Sequence, residues 1–259
     1  MRFSKWHALG NAYVVVDADA VTPERARELC DPERGVGSDG VLEAISVDGT
    51  YAEFRVWNPD GSTAELSGNG ARIAARWLAG RTGVREVSLR IGTRDVQARL
   101  LDDGRVRLEL GPVLVRETER LQAGTELVEV TPVSVGNPHA VVRLEPDRET
   151  LLRLGPLLEK HERFPDRTNV QLVRVDGPGE LTVRVWERGV GETSASGTSA
   201  VAAAAAAVAN RWAESPVTVH MPGGDLFVEL DAENRVSLTG PVTYVYSGET
   251  DDPTEGAQR

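Results

Sequence analysis

Cysteine is almost absent from this chain. Cys30 is the one cysteine in 259 residues, so no intramolecular disulfide can form. Its surroundings, RARELCDPE, read as the end of a short helix where a thiol is inert packing. Histidine is scarce as well. His7, His139, His161 and His220 are widely scattered and lack metal-ligand spacing, so no structural or catalytic metal is expected. No apolar run approaches the ~20 residues of a membrane-spanning helix. The opening MRFSKWHALGNAY lacks the hydrophobic core of a signal peptide, which makes a cytoplasmic protein the default. Positive charge is short: 29 Lys and Arg stand against 40 Asp and Glu, a net charge of −11. A nucleic-acid partner would want a basic stripe and is not expected, nor is a membrane. A small charged substrate stays compatible, because a local site can differ from the whole surface.

What the chain does have is an internal repeat. RVWNPDGSTAELSGNGA from Arg55 aligns without a gap on RVWERGVGETSASGTSA from Arg184, 129 positions later. Trp57 falls on Trp186, Ser67 on Ser196, Gly68 on Gly197 and Ala71 on Ala200, and the same offset carries Gly111-Pro112 onto Gly240-Pro241. With a three-residue slip, LGNAYVVV around Asn11 resembles VGNPHAVV around Asn137. A spacing of half the chain predicts two similar domains. We place them at 1–115, with a C-terminal strand free to cross over, and 116–248, followed by a polar, flexible tail over 249–259.

Each half is strand-rich. AYVVVDA, AEFRVWN, VSLRIG, VQARLL and VRLEL in the first, and PVSVG, HAVVRL, NVQLVRV, LTVRVWE, VTVHM, LFVEL and VSLTG in the second, show β-branched content or period-2 alternation with Gly and Asp at the breaks. Helices are few. GNGARIAARWLAG carries Ile73, Trp77 and Leu78 on one side and predicts Arg72 and Arg76 toward solvent. GTSAVAAAAAAVAN is alanine-rich, as suits a helix packed closely inside a curled sheet. Shorter helices are predicted at TPERARELC, with Thr22 as N-cap and Pro23 in the first turn, and at DRETLLRLGPLLEKH.

Ser67 and Ser196 therefore stand at the mouths of the two main helices, each followed by glycine. The first N–H groups of a helix lack internal partners and carry partial positive charge. Glycines at 68, 70 and 197 let a ligand approach that backbone. Such a mouth binds a carboxylate, and it also acidifies a thiol placed there. Serine is equally a favoured N-cap. The paired recurrence at one offset is what favours a site.

These motifs together resemble the diaminopimelate epimerase family over nearly the whole chain. FSKWHALGNAYVVVD, GVGSDGVL, NPDGSTAELSGNGAR, GNPHAV, RTNVQLV, ERGVGETSASGTSA and PGGDLFVEL…LTGP follow in that family's order. The resemblance implies an α+β fold of two pseudo-symmetric domains, each a small β-barrel or curled mixed sheet around a central helix, closing over a cleft. It also implies inversion of an amino-acid α-carbon without cofactor or metal, the substrate being LL- or meso-diaminopimelate in lysine and cell-wall precursor synthesis, and it leaves a homodimer open. The family uses two cysteines, one removing the α-proton and one returning a proton to the opposite face. Ser67 and Ser196 occupy those positions here. By the same resemblance Asn11, Asn58, Asn137, Asn169, Glu187 and Arg188 bind substrate, the backbones of Gly68-Asn69 and Gly197-Thr198 hold its carboxylate, and His139 is a polar neighbour of the cleft.

Local readings stay open beside these roles. Asn58 precedes Pro59 and can shape a turn, as can Asn11 and Asn137 after glycine. Glu187 and Arg188 face opposite sides of a strand unless the chain bends between them. An alcohol ionises several units above a thiol, so serine needs an adjacent general base; Glu65, Glu192 and, through folding, His139 are the candidates. Two other readings of the chain remain: a different isomerase or dehydratase on the same fold, as in the phenazine-biosynthesis isomerases, or an amino-acid-binding protein without catalysis.

Overall fold

The computed structural model describes residues 1–17, 20–64 and 67–250. The chain divides into two compact units, Met1–Leu108 with the C-terminal segment from Gly240, and Glu109–Thr239.

The first unit contains β1 (Arg2–Ala8), β2 (Asn11–Asp17), α1 (Pro23–Cys30), β3 (Val41–Asp48), β4 (Tyr51–Trp57), β5 (Thr63–Ala64), α2 (Gly68–Thr82), β6 (Glu86–Ile91) and β7 (Arg94–Leu100). β8 (Val106–Pro112) leads into the second unit. There follow β9 (Leu114–Val115), β10 (Glu119–Ala123), β11 (Glu126–Ser134), β12 (Pro138–Val142), α3 (Arg148–Glu159), β13 (Asn169–Gly177), β14 (Glu180–Glu187), β15 (Gly191–Thr193), α4 (Gly197–Ala209), β16 (Val217–Met221), β17 (Gly224–Leu230) and β18 (Arg235–Gly240). β19 (Thr243–Glu249) returns to pair with β1.

The repeat in sequence is a repeat in topology. In the first unit β1–β2 and β3–β4 are antiparallel, while β2–β3, joined through α1, and β4–β6, joined through α2, are parallel. In the second unit β11–β12 and β13–β14 are antiparallel, while β12–β13, through α3, and β14–β16, through α4, are parallel. The 129-residue offset survives in the register: β5 sets Ala64 opposite Val56 and Thr63 opposite Trp57, and β15 sets Thr193 opposite Val185 and Glu192 opposite Trp186. In the first unit the ladder runs from β19 through β1, β2, β3, β4 and β6 to β7, and among the described residues no pairing joins its end strands. The mixed sheet curls around its helix without closing into a barrel.

Local signals start the helices as expected. Thr22 Oγ1 accepts from the Arg25 N–H at 3.2 Å with Pro23 at the first helical position, and Asp147 Oδ1 accepts from the Thr150 N–H at 2.8 Å. α2 stops at Gly83, whose left-handed backbone (φ 72°) lets its N–H reach the Ala79 carbonyl. In α4 every residue from Gly197 to Ala207 is buried. Alanine is what such a position needs, because a methyl group lets strands on several sides approach the helix. The sheet also buries the first turns of α2, and this corrects the solvent-facing reading of Arg72. That side chain is wholly inaccessible, since the helix enters the curl by its N-terminus and has no exposed face there.

α1 and α3 cover the sheets elsewhere. Ala26, Leu29 and Cys30 pack with Val14, Val16, Val41 and Trp57. Leu151, Leu154 and Leu158 pack with Val142, Val170 and Leu172. Burial of each such aliphatic side chain contributes about 1.5–3 kcal/mol. Cys30 is buried, and burial pushes its thiol above the ordinary range, as expected of an inert packing residue. Seven strands escaped the sequence reading: β1, β3, β5, β9, β10, β15 and β19. Glu249, assigned to the tail, is the last residue of β19 and pairs with Arg2. Residues 251–259 of that tail lie outside the described residues. No helix among the described residues is long and apolar enough to cross a membrane.

Candidate active site

In the first unit the site is built on the β1–β2 hairpin and the mouth of α2. Leu9 and Gly10 both have positive φ (54° and 84°) and form a two-residue loop, with Ala8 paired to Asn11. Asn11 is thereby placed as the first residue of β2. Period-2 alternation puts Tyr13 on the same face of that strand. Ser67 is the N-cap of α2, extended at φ −129° and ψ 116°. Its Oγ accepts from the Gly70 N–H at 2.9 Å and lies 2.9 Å from the Tyr13 hydroxyl. A Cβ on Gly70 would come within 3.2 Å of that oxygen, tighter than an ordinary contact, so a side chain there would press on the cap. Gly68 and Asn69 form the buried first turn.

Beneath that turn lies Arg72. Its Nη2 donates to Asn69 Oδ1 at 2.7 Å and its Nη1 to the Gly68 carbonyl at 3.3 Å. Its Nε has no partner, and burial lowers its pKa to about 10. Asn69 in turn donates from Nδ2 to Asn11 Oδ1 at 3.0 Å. Asn58 belongs to a different constellation: its Nδ2 donates to Ser62 Oγ at 2.9 Å, and its backbone exchanges bonds with Gly61 and Ser62. That is turn duty, and Asn58 makes no hydrogen bond to Ser67 or Asn11 among the described residues. Glu65, the nearest base candidate in sequence, lies outside the described residues.

The second unit repeats the plan with a different detail. Ser196 has the same extended N-cap backbone (φ −143°, ψ 123°) but makes no capping bond. Its hydroxyl donates instead to Glu187 Oε2 at 3.3 Å. Protein surrounds that carboxyl, and the desolvation raises its pKa. The bend needed after β14 is present: the Val190 N–H bonds to the Glu187 carbonyl at 3.1 Å, and Gly189 takes φ 76°. Arg188 is exposed, with its Nη1 donating to the Asp166 carbonyl and its backbone N–H to Asn169 Oδ1 at 2.9 Å. Asn169 Nδ2 donates to the Pro138 carbonyl at 3.0 Å. Both ends of that amide are thus spent on binding the GNPH loop to the β14 turn. Gly197 and Thr198 form the buried first turn of α4.

His139 is wholly buried. Gln171 Nε2 donates to its Nδ1 at 3.0 Å, and Nε2 of the ring meets Asn137 Oδ1 at 2.9 Å. Burial and the Arg188 charge lower its pKa to about 3, so the ring is neutral and both nitrogens are occupied. It is a poor base for a serine. Glu192 is disqualified differently, being held by Arg148 at 2.7 Å and Arg184 at 3.0 Å. The carboxylate brought to a serine is Glu187, nine positions before Ser196, which the sequence reading had assigned to binding. Asn137 and His139 also line a cavity of about 250 Å³ within this unit, together with Arg116, Arg163, Asp166 and Arg167. Tyr13, Arg72 and Gln171 were missed altogether. The strand period pointed to Tyr13, and the three-residue helical spacing from Asn69 pointed to Arg72.

Among the described residues no cluster of His, Cys, Asp or Glu could hold a metal ion. Each unit instead offers a helix mouth with backbone donors, a serine at its lip and an asparagine from the preceding hairpin. Such a set can bind a carboxylate and place a hydroxyl beside it.

Comparison with known proteins agrees in extent. The family model for diaminopimelate epimerase matches residues 3–115 and 131–245. A diaminopimelate epimerase of Desulfitobacterium hafniense is 41% identical over 276 residues, covering 96% of this chain and 97% of the relative. Among solved structures, a predicted epimerase from Pseudomonas aeruginosa superposes with a TM-score of 0.75 at 19% identity, over 97% of this chain and 99% of that one. A phenazine biosynthesis protein of the PhzF family from Bacillus anthracis does so with a TM-score of 0.75 at 15% identity, over the same shares. At such identities the two structures speak for the fold alone.

Proposed function

The chain belongs to the diaminopimelate epimerase family, and from that premise we propose that it is a cofactor-independent amino-acid epimerase acting on LL- and meso-diaminopimelate. The carrying observation is the repeated Ser-Gly helix mouth, at Ser67 and Ser196, in a chain matched to the family along nearly its full length. The reaction removes the α-proton and returns one to the opposite face, so no bond other than α-C–H is exchanged. Backbone donors at each helix mouth, Gly68-Asn69 and Gly197-Thr198, suit a carboxylate. Asn11 and Asn137 add side-chain donors. The arginines beside Asn137 suit a ligand with a second carboxylate; of these, Arg116 has no ion pair among the described residues, whereas Arg163 and Arg167 pair with Glu119 and Glu159. In this reading the enzyme serves lysine and cell-wall precursor synthesis in the cytoplasm.

The two serines are unequally equipped. Ser196 has a carboxylate with a raised pKa to receive its proton, so this is the side suited to abstract. Ser67 is held by two neighbours that can donate, the Gly70 N–H and the Tyr13 hydroxyl, so this is the side suited to give its own proton. A helix N-terminus is worth up to ~2 kcal/mol for an anion, which is ample for a thiol but leaves an alcohol neutral. General-base help from Glu187 is therefore required.

The test is incubation with LL-diaminopimelate in deuterated water. α-Deuterium incorporation with formation of the meso isomer is expected, and Ser67→Ala and Ser196→Ala should each abolish it. Full exchange in either variant overturns the two-serine assignment, and binding without exchange in the native chain overturns catalysis.

A further inference from the structure

In the first unit a buried donor, the Arg72 guanidinium, faces the side-chain amide of Asn69. An asparagine side chain can present either its carbonyl or its NH₂ to a ligand, and the outcome depends on what occupies its other end. Arginine carries donors only. Arg72 is wholly buried and its Nη2 can only donate, so the atom of Asn69 at 2.7 Å from it must be the carbonyl oxygen. The NH₂ of Asn69 then faces Asn11 at 3.0 Å, and the atom it meets must again be a carbonyl oxygen. Asn11 is left with its NH₂ outward, and that group has no partner among the described residues. The polarity of the chain, from Arg72 to Asn69 to Asn11, follows from the chemistry of the first member alone.

We propose that Arg72 is a positioning residue, which fixes Asn69 and through it Asn11 so that Asn11 offers two N–H donors to a carboxylate oxygen of the substrate. The inference rests on the functional reading above for the identity of that ligand. The relay itself does not depend on it. Arg72 has no carboxylate partner among the described residues, which a purely structural buried arginine would be expected to have.

The second unit carries a buried chain of other residues. Asn137, from the corresponding hairpin, meets His139 Nε2 at 2.9 Å, and His139 Nδ1 meets Gln171 Nε2, which also donates to Ser199 Oγ at 3.0 Å, while Gln171 Oε1 is buried without a partner. An imidazole, a hydroxyl and a carboxamide can each donate or accept, so this chain has no donor-only member and sets no polarity of its own. Of the two buried chains, only the one that ends on Asn11 has its polarity fixed, by Arg72.

Neutron diffraction on deuterium-exchanged, ligand-free crystals reads the orientation directly, because ND₂ and carbonyl oxygen are distinguished. The expected map shows ND₂ of Asn69 toward Asn11 and ND₂ of Asn11 open. A map with the Asn11 carbonyl open overturns the proposal. Calorimetry with LL-diaminopimelate reads the consequence. Arg72→Met removes every donor and also an unpaired buried charge, so its melting temperature should match or exceed the native value while its Kd weakens at least ten-fold. Arg72→Lys keeps a donor-only group and should bind within three-fold of native. Native-like Kd in Arg72→Met, or weakening that follows the melting temperature in both variants, overturns the positioning role. A native chain that binds no LL-diaminopimelate would sink the functional reading instead, and the neutron map would still decide the relay.

Discussion

Replacing Ser67 and Ser196 one at a time by cysteine makes each helix mouth report its own electrostatics. A thiol at 67 inherits the Gly70 N–H and the N-terminal field of α2. A field worth up to ~2 kcal/mol lowers its pKa by about 1.5 units, from ~8.5 to about 7. A thiol at 196 inherits the field of α4 but also Glu187, which lies 3.3 Å from the present hydroxyl. Two like charges about 4 Å apart repel by ~4 kcal/mol at an effective dielectric constant of ~20. That raises the thiol by about 3 units and more than offsets the helix, giving roughly 10. The two sites should differ by about 3 units, the thiol at 67 being the more acidic. The assay is the rate of alkylation by iodoacetamide across pH 5.5–10.5, with the modified residue identified by mass spectrometry. The native chain is the control, since burial keeps the Cys30 thiol above its ordinary range. Because the thiol at 196 and Glu187 titrate as a pair, the measured value belongs to both. Adding Glu187→Gln to the Ser196→Cys variant should bring that value down toward 7. An apparent pKa at 196 equal to or below that at 67 would refute the reasoning, as would no response to Glu187→Gln.

Three further outcomes are expected. The double variant Ser67→Cys with Ser196→Cys should incorporate α-deuterium into LL-diaminopimelate at least 100-fold faster than the native chain; a folded but inert double variant would mean that the site has diverged beyond its acid and base. His139 binds a proton near 6.5 when unfolded and only near 3 when folded, so its stabilisation is complete above pH 6.5 and is lost as pH falls toward 3. Between pH 7 and pH 5 that loss is about 2 kcal/mol, and urea denaturation of His139→Gln should show a correspondingly flatter pH dependence; an identical slope would contradict it. Glu159 is buried and receives the Trp186 indole N–H at 2.7 Å and the Gly189 N–H at 3.0 Å. Glu159→Ala should therefore cost about 3 kcal/mol in the same assay and shift tryptophan fluorescence, whereas a loss below about 1 kcal/mol would show that these bonds are replaced by water.

Most of the architecture was legible because it was written twice. One offset links Ser67 to Ser196 and Trp57 to Trp186, and the paired strands keep that offset in their register. Caps at Thr22 and Ser67 obey local chemistry and need no distant partner to be read. The errors have a common origin. Arg72 looked solvent-facing because helical periodicity assumes one wet face, and the first turn of α2 has none. Glu192 looked like a base because it is near Ser196 in sequence, but Arg148, 44 positions away, claims it. β19 went unread because its residues are exposed and show no apolar alternation, while its pairing with β1 joins the two ends of the chain.

By itself the sequence determined the repeat, the two helix mouths and the substitution of alcohols for the family's thiols, since each follows from residue identity and short-range backbone chemistry. Only the tertiary structure decided what each alcohol does. Ser67 turns its oxygen to the Gly70 N–H and Tyr13, whereas Ser196, with the same backbone conformation, abandons its cap for Glu187. A hydroxyl rotates about one bond at little cost, so its partner is chosen by whichever polar group the fold brings within 3.3 Å.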